Sequence, residues 1–176
     1  MKTKQMMLGA ALAAATLSAG NAIAGDARMT DAQMIERGRY IAKIGGCNDC
    51  HTPGYAPSGG KVAEKDWLVG DALGWKGDWG TTYPANLRLV LATMTETQWV
   101  EYARKLETRP PMPWFALHDL TEQDLRAFHR FVRSLGPAGA PAPAYVPPGT
   151  APRGPFIQFP SAPPQSAAAN VPVAAR

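Results

Sequence analysis

The sequence predicts an all-α domain in which three main helices are joined by a long irregular loop. Two observations indicate this class. Three capping patterns each precede apolar residues at helical spacing, and the chain between the first two helices lacks strand alternation. With 45% hydrophobic residues, the chain can form a real core. We expect the folded domain over residues 25–136, followed by a Pro- and Ala-rich extension over residues 137–176.

The start of the chain, residues 1–24, has the composition of a secretory signal peptide. Lys2 and Lys4 make its beginning positive, an apolar run follows over residues 6–19, and an Ala-Ile-Ala sequence ends at Ala24. The run is shorter than the roughly 18 to 20 residues that cross a bilayer. We therefore expect Sec-type export to a bacterial periplasm, cleavage after Ala24 and no transmembrane segment in the mature chain.

The net charge of +4 does not describe the predicted domain. Lys2 and Lys4 lie in the signal, and Arg153 and Arg176 lie in the extension, so 14 basic residues remain beside the 14 acidic ones in residues 25–136. A neutral domain does not favour a basic polymer-binding surface. We expect no nucleic-acid partner.

Each predicted helix starts at a threonine followed three residues later by Gln or Asp, which is a capping box or a close variant of one. The helices are expected at residues 31–44 after Thr30, 96–106 after Thr95, and 122–135 after Thr121. Glycines end the first at Gly45-Gly46 and the third at Gly136.

The loop of about forty residues between the first and second helices is rich in Gly and Pro and carries Trp67, Trp75, Trp79 and Tyr83. A compact domain seldom holds a loop of that length unless something besides its own secondary structure organises it. The loop therefore predicts a cofactor against which these aromatic side chains pack.

The extension, residues 137–176, holds 11 of the 17 prolines and only two charged residues. Proline fixes φ and removes a backbone donor, so neither a long helix nor a central strand is expected there. The extension is expected to be disordered or to lie over the domain as an extended strap.

The two cysteines of the chain, Cys47 and Cys50, are followed directly by His51. A thioredoxin-type dithiol places its first cysteine at a helix N-terminus after a strand, whereas this motif follows the end of a helix. Structural zinc needs four ligands, and the remaining histidines are His118 and His129. A disulfide across two residues closes too small a loop to stabilise much.

The C-x-x-C-H pattern accounts for the histidine as well as for the two thiols. The thiols add to the vinyl groups of haem, and the histidine that follows them ligates the iron. We predict one covalent haem c, tethered through Cys47 and Cys50 and ligated by His51.

Over residues 31–136 the chain resembles the class I cytochromes c. The residues that carry the resemblance are R-G-R-Y-I-A-K-I-G-G-C-N-D-C-H at 37–51, P-P-M-P-W-F at 110–115 and T-E-Q-D-L-R-A-F-H-R-F-V-R-S-L at 121–135. The family implies three main helices around one haem, with the first helix crossing the last. Gly38 is small enough for a close crossing, and Phe128, Phe131 or Val132 would face it.

The resemblance also implies a methionine, in a Pro-containing loop before the last helix, as the sixth iron ligand. Met112 lies between Pro111 and Pro113, which stiffen the loop and remove local donors. Met94, just ahead of the second helix, and His118 are the next candidates.

Haem propionates need hydrogen-bond donors, which in this family come from an Arg, a Trp and polar loop residues. The stretch T-T-Y-P-A-N-L-R at residues 81–88 is the expected source, together with the tryptophans before it. The expected contacts are Trp79, Tyr83 and Arg88, with Trp75 and Asn86 as further candidates.

Ligation of the iron by both His and Met leaves no position for a substrate and favours one-electron transfer. The resemblance therefore implies a periplasmic electron carrier, not an enzyme, that shuttles electrons from a donor such as a dehydrogenase to an acceptor oxidase or cytochrome. Three alternatives stay open: a haem enzyme or gas sensor with an open or weakly held sixth position, a haem-free thiol protein, and a subunit docked on a larger oxidoreductase complex.

Overall fold

The computed structural model describes residues 29–161 and contains six α-helices and a three-stranded sheet. The predicted signal peptide, residues 1–24, and the last residues of the extension, 162–176, lie outside this range. None of the helices in the described range is long and apolar enough to cross a bilayer. In chain order the elements are α1 (Asp31–Ile44), α2 (Cys47–His51), a 3₁₀ turn (Glu64–Asp66), β1 (Gly74–Gly77), β2 (Gly80–Thr82), α3 (Leu87–Ala92), α4 (Glu96–Lys105), α5 (Phe115–Asp119), α6 (Glu122–Ser134) and β3 (Phe156–Gln158).

The three predicted helices are confirmed as α1, α4 and α6, and their caps form as expected. Thr30 Oγ1 accepts from the Gln33 amide at 3.3 Å, and Gln33 Oε1 accepts from the Thr30 amide at 2.8 Å. Thr95 and Gln98 form the same reciprocal pair on α4. These side chains satisfy amide donors that a helix N-terminus would otherwise leave unpaired.

The first and last helices cross where Gly38 of α1 meets Ala127 and Phe131 of α6. A β-carbon at Gly38 would lie 2.1 Å from the Ala127 carbonyl oxygen and 2.6 Å from the Phe131 β-carbon, so only glycine fits. The predicted crossing at Gly38 is confirmed, with Phe131 facing it. The second contact, Ala127, was not predicted.

The predicted all-α class is wrong, because part of the predicted irregular loop and part of the extension form a sheet. β1 pairs antiparallel with β2, so that Trp75 lies opposite Thr82. β1 also pairs in parallel with β3 from the extension, which places Ile157 opposite Trp75. The strand order is β2-β1-β3.

Short strands and distant pairing explain why the sequence pattern did not reveal this sheet. β1 and β2 have four and three residues, and glycines occupy both ends of β1 and the start of β2. Alternation cannot be recognised over so few positions. β3 lies between Pro155 and Pro160 and pairs as an edge strand, a position that tolerates flanking proline.

Residues 137–161 follow the surface of the domain as an extended strap. The strap touches the domain at several places along its length. Val146 exchanges two backbone hydrogen bonds with Thr81, at 2.8 and 3.0 Å. The Tyr145 hydroxyl donates to the Trp79 carbonyl at 2.8 Å, and the Arg109 guanidinium lies over the Tyr145 ring. This segment, residues 137–161, is called the strap.

Candidate functional site

The C-x-x-C-H residues lie on the short helix α2. The backbone of Gly46 is left-handed, with φ of 67°, which turns the chain between the end of α1 and Cys47. Cys50 and His51 lie three and four residues after Cys47, so the three side chains share one side of α2. This arrangement can hold one flat ligand by two sulfur atoms and one imidazole.

The thiols of Cys47 and Cys50 are free in this structure. Burial raises the pKa of Cys47 to about 12 and also raises the pKa of Cys50. Contrary to the sequence expectation for a redox dithiol, Cys47 does begin a helix. The raised pKa values nevertheless oppose that role, since a reactive dithiol needs a lowered thiol pKa.

His51 is buried, and its Nδ1 lies 2.7 Å from the carbonyl oxygen of Ala85. A carbonyl only accepts, so Nδ1 carries the proton and Nε2 keeps its lone pair. Burial lowers the pKa of His51, which favours the neutral ring. His51 is thus in the tautomer that ligates a metal through Nε2.

The loop after α2 holds the segment that carries the Ala85 carbonyl. The Gly70 amide donates to the His51 carbonyl at 2.9 Å, and the Asp71 amide donates to the Pro84 carbonyl at 3.2 Å. Gly70 has φ of 77°, and a β-carbon there would lie 2.8 Å from the Asn86 nitrogen. Because Gly70 lies so close to their backbone, residues 84–86 pack directly against the loop that follows His51.

Buried polar groups join α2 to the loop that follows it. The Thr52 hydroxyl donates to Asn48 Oδ1 at 2.7 Å and accepts from the Leu68 amide at 2.8 Å. Leu68 is fully buried in a left-handed conformation, with φ of 60°. Among the described residues, Asn48 Nδ2 has no partner for its buried hydrogens.

Met112 lies half-buried in a loop that hydrogen-bonds to the same region of the chain. The Thr82 hydroxyl donates to the Pro110 carbonyl at 2.8 Å, and the Trp114 amide donates to the Met112 carbonyl at 2.9 Å. Thr82 is three residues from Ala85, so their Cα atoms are at most about 11 Å apart. The short segment 82–85 therefore contacts both His51 and the loop that carries Met112, the two predicted iron ligands.

The next candidates for the sixth ligand are engaged elsewhere. His118 Nε2 lies 3.1 Å from the Leu106 carbonyl oxygen, and its ring packs on Trp114. Met94 packs against the core, and its carbonyl oxygen lies 2.9 Å from His129 Nε2. One surface depression is lined by Met94 and residues of α4, and a second lies beside α1. Neither is lined by the C-x-x-C-H residues or by Met112.

The hairpin of β1 and β2 carries buried donors without partners. Within residues 29–161, Trp75 Nε1, Trp79 Nε1 and Thr81 Oγ1 are buried and make no hydrogen bond. Both indole rings pack on Phe159 of the strap, at centroid distances of 5.9 and 5.3 Å. Thr82 is opposite Trp75 and shares its face, whereas Thr81 points to the other face. Trp75 therefore lies on the face of the hairpin where Thr82 hydrogen-bonds to the Pro110–Met112 loop, and Thr81 lies on the opposite face.

Arg88 holds the end of α6. Its Nη1 donates to the Lys65 carbonyl at 2.6 Å, and its Nε and Nη2 donate to the carbonyls of Gly136 and Leu135. All three nitrogens of the buried guanidinium therefore satisfy backbone oxygens. The Tyr83 ring, another predicted propionate contact, is half-buried beside Gly74 of β1.

The loop tryptophans pack on aromatic side chains of the chain itself. Trp67 packs edge-on between Tyr55 and Phe131, at 5.6 and 6.2 Å between centroids. Trp75 and Trp79 pack on Phe159, as described above. Residues 29–161 supply these contacts themselves, and of these three indole nitrogens those of Trp75 and Trp79 have no hydrogen-bond partner in that range.

Sequence reasoning missed the Ala85 carbonyl and the supporting Asn48. A backbone carbonyl has no side-chain signature, so no pattern in the chain could single out Ala85. Asn48 had a signal, since it lies inside the C-x-x-C-H motif. Across residues 29–161, no three His, Cys, Asp or Glu side chains gather as ligands for a metal ion.

No family model, curated protein or solved structure matches this chain. The residues themselves are consistent with haem attachment. Two thiols and an imidazole share one side of α2. Within the described range, His51 Nε2 makes no hydrogen bond, and buried donors on the β1–β2 hairpin have no partner.

Proposed function

We propose that this protein is a periplasmic one-electron carrier that holds a single covalent haem c and belongs with the class I cytochromes c. The observation that supports this best is the hydrogen bond from His51 Nδ1 to the Ala85 carbonyl. It leaves the Nε2 lone pair on a buried histidine that directly follows a C-x-x-C pair. A metal-ligating histidine usually donates its other nitrogen in this way.

Cys47 and Cys50 would tether the haem by thioether bonds, and His51 would ligate its iron through Nε2. When bound, the haem supplies a reversible ferrous–ferric couple. The contribution of the chain is to hold His51 in one tautomer, exclude water from it and resist movement when the charge changes. The bonds from Gly70 to His51 and from Thr52 to Asn48 serve that purpose.

Met112 is the proposed sixth ligand. Pro111 and Pro113 restrict its loop, and Thr82 anchors the loop to β2. A thioether ligand raises the reduction potential and closes the iron to substrates. The proposed function is therefore electron transfer, without chemistry on a small molecule.

The proposed propionate contacts are the indole nitrogens of Trp75 and Trp79, together with Tyr83. The two indoles are buried donors that lack a partner within residues 29–161. A carboxylate would satisfy such donors with charge-assisted hydrogen bonds. Arg88, also predicted to contact a propionate, has its nitrogens committed to carbonyls.

The partners of such a carrier are redox proteins: a donor dehydrogenase and an acceptor oxidase or cytochrome. The near-neutral charge of residues 25–136 suits transient contacts that do not depend on strong charge complementarity. The second candidate, a docked subunit of an oxidoreductase, is favoured by the edge strand β3. There Phe156 and Ile157 are 41% and 42% exposed, on a strand edge that pairs with no other strand of residues 29–161.

The test is an absorption spectrum of the full chain expressed in a periplasm with haem attachment, before and after Met112→Ala. We expect a ferrous α-band, and a weak ferric band from iron–thioether bonding that disappears in Met112→Ala. A colourless product with a reducible Cys47–Cys50 bond would overturn the proposal in favour of a thiol protein. Carbon monoxide binding to the ferrous wild type would indicate an open sixth position.

A further inference from the structure

Asn86 connects the strap to the residue that orients His51. Its side chain is 3% exposed, and its Oδ1 accepts from the Leu89 amide at 3.1 Å to cap α3. Its Nδ2 donates to the carbonyls of Ala138 and Ala140, at 2.8 and 3.1 Å. Both hydrogens of this buried amide are therefore satisfied by the beginning of the strap.

The peptide between Ala85 and Asn86 is planar, so the direction of the Ala85 carbonyl follows the backbone of Asn86. Asn86 is held from two sides. Gly70 approaches its backbone nitrogen, and the strap binds its side chain. Movement of Asn86 would rotate the carbonyl that accepts from His51 Nδ1.

The strap approaches Asn86 closely at a glycine. Gly139 has φ of 73°, and a β-carbon there would lie 3.1 Å from Asn86 Nδ2 and 3.3 Å from the Val69 β-carbon. Gly149 also has a positive φ, of 80°, but its β-carbon would meet nothing within 4 Å. Alanine would strain the backbone at both positions but would press on Asn86 only at Gly139. Comparing the two substitutions therefore isolates the effect of the contact.

From these contacts we infer that the strap positions His51 through Asn86, and that this support helps to set the midpoint potential of the haem iron. This inference rests on the proposed haem site. A firm bond from Nδ1 to a carbonyl makes the imidazole a stronger electron donor, which stabilises the ferric state. Loosening the Asn86 contacts weakens that bond, so the midpoint potential rises.

The experiment compares Asn86→Asp, Gly139→Ala and Gly149→Ala in the full-length protein. Asn86→Asp retains an oxygen to cap α3 but turns an acceptor toward the carbonyls of Ala138 and Ala140. The readouts are the midpoint potential and, by NMR of the ferrous protein, the exchange rate of the His51 Nδ1 proton. We expect faster exchange in both Asn86→Asp and Gly139→Ala, a higher potential in Gly139→Ala, which adds no charge, and wild-type values in Gly149→Ala.

The inference is overturned if Asn86→Asp keeps the exchange rate of Gly149→Ala and Gly139→Ala keeps both its exchange rate and its potential, even with a lower unfolding temperature. If Asn86→Asp does not fold, Gly139→Ala alone tests the inference, since it leaves the Asn86 side chain unchanged. If the wild type carries no haem, the proposed function fails separately. The Nδ1 proton exchange of the haem-free variants then tests whether the strap positions His51.

Discussion

Gly38 of α1 and Ala127 of α6 approach so closely that a β-carbon on Gly38 would lie 2.1 Å from the Ala127 carbonyl oxygen. The neighbour at this point is backbone, which cannot turn aside as a side chain can. The two helices can therefore accommodate a larger residue only by moving apart.

Gly38→Ala is expected to destabilise the fold by more than the roughly 1 to 3 kcal/mol of ordinary overpacking. Helix propensity alone predicts the opposite sign, a gain of about 1 kcal/mol. The free energy of unfolding from denaturant titration thus distinguishes the two effects. An unchanged or raised value would contradict the close crossing.

Thr82→Val should release the loop that carries Met112. The substitution keeps the shape of the side chain but removes the hydroxyl that donates to the Pro110 carbonyl. We expect a loss of about 1 kcal/mol in unfolding free energy and readier carbon monoxide binding by the ferrous protein. Thr81→Val is the matched control, because its hydroxyl has no partner in the described chain. Equal behaviour of the two variants would argue against the anchor.

Arg88→Lys should lower stability without altering the pH dependence of the reduction potential. Lysine cannot reach the carbonyls of Lys65, Leu135 and Gly136 together, so we expect a loss of about 2 kcal/mol or more. Thermal unfolding measures the first effect, with the exposed Arg104→Lys as control. A changed pH dependence of the potential would instead place Arg88 at a propionate.

Glu96 should make stability depend on pH in the acid range. Its carboxylate accepts from Arg130 at 2.7 Å and from Arg126 at 3.0 Å, and Arg130 is the main cause of its lowered pKa. A lowered carboxyl pKa stabilises the fold above the pKa of the unfolded chain, and this stabilisation is lost as pH falls through the folded pKa. Glu96→Gln should therefore cost about 1 to 2 kcal/mol at pH 7 and progressively less below about pH 4.

The check is denaturant unfolding of wild type and Glu96→Gln at pH 7 and pH 3, with the exposed Glu107→Gln as control. The difference between wild type and Glu96→Gln should shrink at pH 3. A difference that persists unchanged at pH 3 would show that charge pairing is not its source.

Local signals predicted much of this structure. The reciprocal bonds of Thr30 with Gln33 and of Thr95 with Gln98 were readable because each cap lies within four residues. Cys47, Cys50 and His51 share one side of α2 because of their spacing, but the sequence did not predict that this motif forms a helix. Gly38 could be predicted as the crossing point because the resemblance supplied the pairing of helices.

The sequence by itself determined the three main helices and the C-x-x-C-H group, and the family resemblance supplied the crossing at Gly38. Only the tertiary structure decided that Phe156–Gln158 joins the sheet, that Ala85 orients His51, and that Arg88 holds the end of α6. The physical reason is that these three features join backbone groups to partners distant along the chain. Every residue has such groups, so a sequence pattern cannot indicate which carbonyl or strand edge folding will bring into contact.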